Sequence, residues 1–141
     1  MQIQPAQRGG NAGFYLLDGA RATERANAWT TDSNAPELYA NHNITLVMPV
    51  GGQVSFYSDW QRPINLGGNL LEYKWETFLT EELPATIDQR FDGTGRNAIA
   101  GISMAGTSVF QLALHAPSQI VAAIKSRADQ LGASVVVSMV E

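Results

Sequence analysis

Short apolar runs, each closed by glycine or a polar turn and spaced by longer polar-mixed stretches, constrain this chain more than any other feature. Phe14-Tyr15-Leu16-Leu17 ends at Asp18-Gly19, and Ile44 to Val50 ends at Gly51-Gly52. Asn97 to Ile102 and Ser134 to Val140 are two further runs. Apolar runs this short fit strands of a sheet covered on both faces. The stretches between them suit helices. Asn34 to Ala40 carries Pro36 in its first turn, where proline is tolerated. Tyr73 to Gln89 has Trp75, Phe78, Leu79, Leu83 and Ile87 at helical spacing, with a kink expected at Pro84. Met104 to His115 is rich in small residues, and Ser118 caps a helix expected over Gln119 to Leu131, with Gly132 as its stop. Gly52 to Glu72 has no clear period and reads as a long surface loop. Strands alternating with helices predict an α/β fold of βαβ units around a mostly parallel sheet.

Length and composition narrow the classes. The 141 residues make one domain's worth of chain, and 45% hydrophobic residues suffice for a core. A net charge of −4, with scattered Lys and Arg, argues against nucleic acid as a partner. There is no cysteine, which excludes disulfides and thiolate metal sites. No apolar run approaches the ~20 residues of a transmembrane helix. Met1 to Pro5 shows no basic or apolar signal region, so any export signal is expected outside this chain.

Two motifs carry chemistry. Gly101-Ile102-Ser103-Met104-Ala105-Gly106 follows an apolar run and opens a helix, the context of a nucleophile elbow. A sharp strand-to-helix turn lifts the Ser103 hydroxyl above the sheet, and the helix N-terminus offers free N–H groups to a developing oxyanion. Ala105 stands where the usual pattern has glycine. On the motif alone, a serine capping a helix is an equally open reading. The second motif is Leu16 to Arg21, at the end of the first run. The loop after this strand supplies the other oxyanion N–H in such architectures, and Ala20 is the expected donor. An ordinary Asp18-Gly19 turn is the alternative.

Five blocks in order resemble the mycolyltransferase (antigen 85) family of the α/β-hydrolase superfamily: Tyr15 to Gly19, Leu46 to Gly52, Ser55 to Trp60, Tyr73 to Thr80, and Ser103 to Gly106. The resemblance covers residues 2–117 and fades over a divergent tail, 118–141. It implies a single, incomplete α/β-hydrolase domain over 1–141. It also implies a serine acyltransferase that moves a mycolyl chain between trehalose esters, with no cofactor or metal. Ser103 matches the nucleophile, Met104 and Ala20 the backbone oxyanion donors, and Asp18 and Arg21 the residues that hydrogen-bond the sugar. A carboxylate and a guanidinium are suited to gripping hydroxyls. The implied substrate is a trehalose mycolate-type glycolipid and the implied location secreted or cell-envelope. Fibronectin is a further implied partner. Phe56, Tyr57, Trp60 and Trp75 are expected in packing rather than as a sugar platform.

A serine nucleophile needs a base and an orienting acid, which follow the serine in this fold. The only histidines are His42, expected at the opposite end of the sheet, and His115, ~18 Å along the helix from Ser103 at 1.5 Å per residue. Neither is expected to act. The chain therefore reads as a truncated mycolyltransferase, inactive or partial. A carboxylesterase or a non-catalytic binding remnant is the alternative. Self-association through an uncovered apolar patch or the last strand is expected.

Overall fold

The computed structural model describes residues 1–129 and 132–139. Its strands are β1 (Gln2–Gln4), β2 (Ala12–Leu17), β3 (Ile44–Met48), β4 (Ile64–Leu66), β5 (Asn69–Leu71), β6 (Asn97–Ile102), β7 (Ile120–Asp129) and β8 (Gly132–Met139). Its helices are α1 (Ala28–Thr31), α2 (Ala35–Tyr39), α3 (Trp75–Thr77), α4 (Leu83–Phe91) and α5 (Met104–His115), with a π-helical segment at Phe78–Glu82 joining α3 to α4. Six strands form one sheet in the order β1-β3-β2-β6-β7-β8. β3, β2, β6 and β7 run parallel, and β1 and β8 pair antiparallel at the two ends. This is the α/β-hydrolase-like, mostly parallel sheet expected. All four apolar runs lie in it, although Val140 falls outside the described residues.

Alternation along β2 explains the double cover. Tyr15 and Leu17 point to one face, where they meet Val47, Ile99 and the buried side of the helices: Leu79, Leu83, Ile87, Val109 and Leu112. Phe14 and Leu16 point to the other, with Leu46, Met48 and Ala100, under Ala35, Trp29 and Tyr39. A strand buried on both faces must be apolar at successive positions, which is the run seen in the sequence.

Three expectations change. The helix expected over Gln119 to Leu131 is instead strand β7 as far as Asp129; Gln130 and Leu131 lie outside the described residues. Ile120-Val121-Ala122-Ala123-Ile124 is an apolar run like the others, and Ile120 and Ala123 are buried. After α5, the Ala116 carbonyl accepts from the Gln119 and Ile120 amides, and the chain returns to β6, where Asn97 N–H donates to the Gln119 carbonyl at 2.6 Å. Ser118 sits in that turn, and Gly132 opens β8. The loop over Gly52 to Glu72 contains the exposed hairpin β4–β5, turned by Gly67 and Gly68 at φ 59° and 90°. Finally, Pro84 does not simply kink a helix. Proline lacks the N–H that a regular turn needs, and the turn before it widens, with Leu83 N–H bonding to the Phe78 carbonyl five residues back. No helix among the described residues is long and apolar enough to cross a membrane.

The start of α3 is held by a carboxylate. Asp59 accepts from the Thr77 amide at 3.1 Å and the Thr77 hydroxyl at 2.6 Å. Burial by itself raises the Asp59 pKa, but these hydrogen bonds, a hydrogen bond from the Glu76 backbone amide and the nearby Lys74 charge outweigh it and leave it below the usual aspartate value. A depressed folded-state pKa stabilises above the unfolded value of about 4 and the contribution is lost as pH falls through the folded value. Urea midpoints of the wild type and Asp59→Asn should therefore differ at pH 7, and the difference should shrink as pH falls below about 4. A gap that stays constant over that range would show that the Asp59 charge contributes nothing to the fold.

Candidate active site

Strand register builds the site. β2 and β6 are adjacent and parallel, with Leu17 paired to Gly101. The loops leaving both strands therefore emerge side by side at the carboxyl edge of the sheet. β3 lies on one side of β2 and β6 on the other, so this edge is the point where strand order reverses, the usual ligand crevice of α/β sheets.

Ser103 occupies the turn between β6 and α5. Its backbone sits at φ 54°, ψ −116°, a left-handed region unfavourable for a residue with a Cβ. Its side chain makes no capping hydrogen bond to α5, and the residue is exposed. The helix-cap reading is therefore not what the structure shows: among the described residues the hydroxyl has no hydrogen-bond partner, and the backbone is bent at this turn. The turn is tight because α5 closes directly on β6. A Cβ on Gly101 would overlap the Ala105 carbonyl and lie 2.8 Å from the Ala105 Cβ. Glycine at 101 is thus what admits alanine at 105, which is wholly buried. Met104 is the first residue of α5, so its N–H has no carbonyl one turn earlier to bond. That N–H lies at the positive end of the α5 dipole.

The loop after β2 faces this turn. A Cβ on Gly19 would stand 3.5 Å from the Ser103 Cβ. Ser103, Asp18, Gly19, Ala20 and Arg21 line one cavity of about 590 Å³, with Thr23, Ala26, Ala28, Thr31, Asp32 and Ile102. Four of the five residues predicted for the site thus share one cavity, and the fifth, Met104, is not among its lining residues but follows Ser103 directly in the chain. Arg21 is exposed. Asp18 is only 8% exposed, and its carboxylate builds the loop: one oxygen accepts from the Gly19 amide at 2.7 Å and the other from the Ala28 amide at 2.9 Å. Each oxygen keeps a further lone pair for a ligand hydroxyl.

Sequence reasoning missed two supports. Asn27, fully buried, donates from its side chain to the Leu16 carbonyl at 3.0 Å and the Pro49 carbonyl at 2.7 Å, and caps α1 through Trp29 N–H. The signal available was an asparagine before a short helix. The other support is Tyr57, 1% exposed, whose hydroxyl bonds the Asp18 backbone. Of the four aromatics assigned to packing, Tyr57 and Trp75 meet edge to face at 5.2 Å, and Trp60 meets Tyr73 at 4.6 Å. Phe56 differs, standing 56% exposed.

The histidines lie elsewhere. His42 precedes β3, at the amino edge of the parallel strands, with its ring tilted at 59° to that of Tyr39. His115 ends α5 and bonds Glu76 at 2.6 Å. Among the described residues no group of three or more His, Asp or Glu could hold a metal.

The family model of the esterases matches residues 3–126. The chain belongs to the esterase family. That match continues past Pro117 into β7. This esterase-family chain is 44% identical over 123 residues to the diacylglycerol acyltransferase/mycolyltransferase Ag85B of Mycolicibacterium smegmatis, covering 86% of this chain and 37% of that protein. It is 46% identical over 124 residues to the Ag85A enzyme of Mycobacterium gordonae, covering 86% and 36%. The chain thus spans little more than a third of the length of the curated relatives it matches. Among solved structures, Mycobacterium tuberculosis MPT51 (FbpC1) superposes with a TM-score of 0.68 at 29% identity, over 84% of this chain and 41% of that one. An S-formylglutathione hydrolase from Agrobacterium tumefaciens shares the fold, with a TM-score of 0.69 at 21% identity over 87% and 50%.

The elbow predicts a packing effect. Gly101→Ala should destabilise the esterase domain by about 1–3 kcal/mol in urea unfolding, because the new Cβ meets backbone rather than a movable side chain. A loss under about 0.5 kcal/mol would show that α5 can lift off β6 without penalty.

Proposed function

We propose that this chain carries the nucleophile-bearing side of a serine acyl-transfer site of the mycolyltransferase type. The observation that supports this most is the free Ser103 hydroxyl, held at a strained elbow in the cavity that Ala20, Asp18 and Arg21 also line. Ser103 Oγ attacks an ester carbonyl carbon. The carbonyl oxygen becomes an oxyanion between the N–H groups of Met104 and Ala20. Collapse expels the alcohol and leaves an acyl-serine, which a sugar hydroxyl then attacks to release a new ester. Asp18 and Arg21 hold the sugar. The substrate class is a trehalose mycolate-type glycolipid, in keeping with relatives named as mycolyltransferases, and the setting is the cell envelope.

The serine proton needs a base, and neither His42 nor His115 stands at this edge of the sheet. The 141 residues alone should show no appreciable turnover. An activated ester needs less help, because its phenolate leaves without a proton, and an oxyanion hole alone retains part of the rate.

Incubation with p-nitrophenyl butyrate, followed by intact mass, should show slow addition of one butyryl group to the wild type and none to Ser103→Ala. Equal labelling of both proteins would remove Ser103 from the role of nucleophile. The absence of labelling in the wild type would favour a non-catalytic binding protein.

A further inference from the structure

The segment after β3 takes no part in the chemistry above, yet it bonds Asp18, Ala20, Thr23 and Met104. Gly51 N–H donates to the Thr23 carbonyl at 2.7 Å, and Val54 N–H donates to the Ala20 carbonyl at 3.3 Å. Phe56 N–H reaches the Met104 sulfur at 3.4 Å. The Tyr57 hydroxyl accepts from the Asp18 amide at 3.0 Å and donates to the Asp18 carbonyl at 3.1 Å. One stretch of seven residues thus bonds both residues assigned as oxyanion donors and the loop between β2 and α1.

The backbone of this stretch is strained. Val54, Phe56 and Tyr57 all have φ near +50°, and Gly51 and Gly52 are also left-handed. Such conformations persist only where the surroundings hold them, and they concentrate at sites whose geometry matters. The surroundings here are explicit. Buried Ser55 accepts the Tyr57 amide on its hydroxyl at 3.0 Å, and its carbonyl accepts the Trp60 indole N–H at 3.2 Å. The Tyr57 ring packs edge to face on Trp75. Burial, with the Asp18 charge nearby, raises the Tyr57 pKa, so the hydroxyl keeps its proton and remains a donor.

We propose that Tyr57 is a positioning residue for the acyl-transfer site: its hydroxyl pins both backbone groups of Asp18 and so fixes where the Ala20 N–H points relative to Ser103. The proposal rests on the acyl-transfer reading. It assigns Tyr57 no contact with substrate. Asp18 lies two residues before Ala20, and the loop between them has no regular secondary structure to hold it. Without the hydroxyl, the Asp18 N–H and carbonyl lose a buried partner, and the loop is free to turn toward water to recover one. An N–H displaced by about 1 Å is enough to cost about 100-fold in rate.

The variant is Tyr57→Phe, which keeps the ring and its packing and removes only the hydroxyl. Two measurements are made on it and on the wild type. The first is the rate of Ser103 acylation by p-nitrophenyl butyrate as a function of ester concentration. The second is amide hydrogen exchange over residues 18–22 and over β6. The expected result is a maximal acylation rate lower by at least about 10-fold with the half-saturating ester concentration unchanged, and faster exchange confined to residues 18–22. An unchanged rate with unchanged loop exchange overturns the proposal. So does exchange that accelerates equally in β6, which makes Tyr57 a core residue only. Failure of the wild type to label Ser103 at all counts against the acyl-transfer reading instead, and the exchange measurement then decides by itself whether Tyr57 holds the loop.

Discussion

The pairing of β2 with β6, Leu17 against Gly101, is the constraint on which the rest depends. It brings two loops that are far apart in sequence to one edge of the sheet. A shift of one residue would turn the side chains of β2 to the opposite faces and expose one of the two cores, so the register is fixed by burial on both faces. Phe14 and Leu16 commit one face and Tyr15 and Leu17 the other. The close contact of α5 with β6 through Gly101 and Ala105 then sets the height of Ser103 above that edge.

Local strain is matched by local support. Ser103 is bent into a left-handed conformation with its hydroxyl unused, while the facing loop is tied down through Asp18, Asn27 and Tyr57. The polar groups that build this loop are buried and hydrogen-bonded, so they stiffen it without exposing new charge. The exposed residues lining the cavity include Ser103, Arg21, Thr31 and Asp32, and the Asp18 carboxylate keeps free hydrogen-bonding capacity. That division, buried groups for shape and exposed groups for chemistry, is what a site needs if it is to stabilise charge without reorganising.

The sheet and the elbow were legible because their signals are short-range. A run such as Leu46 to Met48, buried on both faces, has to be apolar at successive positions, and Gly-x-Ser at the end of a run followed by a helix marks either an elbow or a helix cap. Residues 120–129 are strand rather than helix although Ser118 and Gly132 carry the chemistry of helix caps. The apolar start at Ile120 and the parallel pairing with β6 prevailed over those local preferences. The roles of Asn27 and Tyr57 were not legible at all. Each acts on a backbone group distant in sequence, the Pro49 carbonyl in one case and Asp18 in the other, and nothing in the neighbourhood of either residue announces that partner.

On the proposed reading, Ser103 is the nucleophile and the Met104 and Ala20 N–H groups form the oxyanion pocket. The most direct measurement is the crystal structure of the chain after reaction with a p-nitrophenyl alkylphosphonate, whose phosphoryl oxygen copies the oxyanion. Phosphorus should be bonded to Ser103 Oγ, with that oxygen about 2.7–3.1 Å from the backbone nitrogens of both Ala20 and Met104. An adduct whose oxygen faces solvent, or a label on any residue other than Ser103, would contradict the site built here.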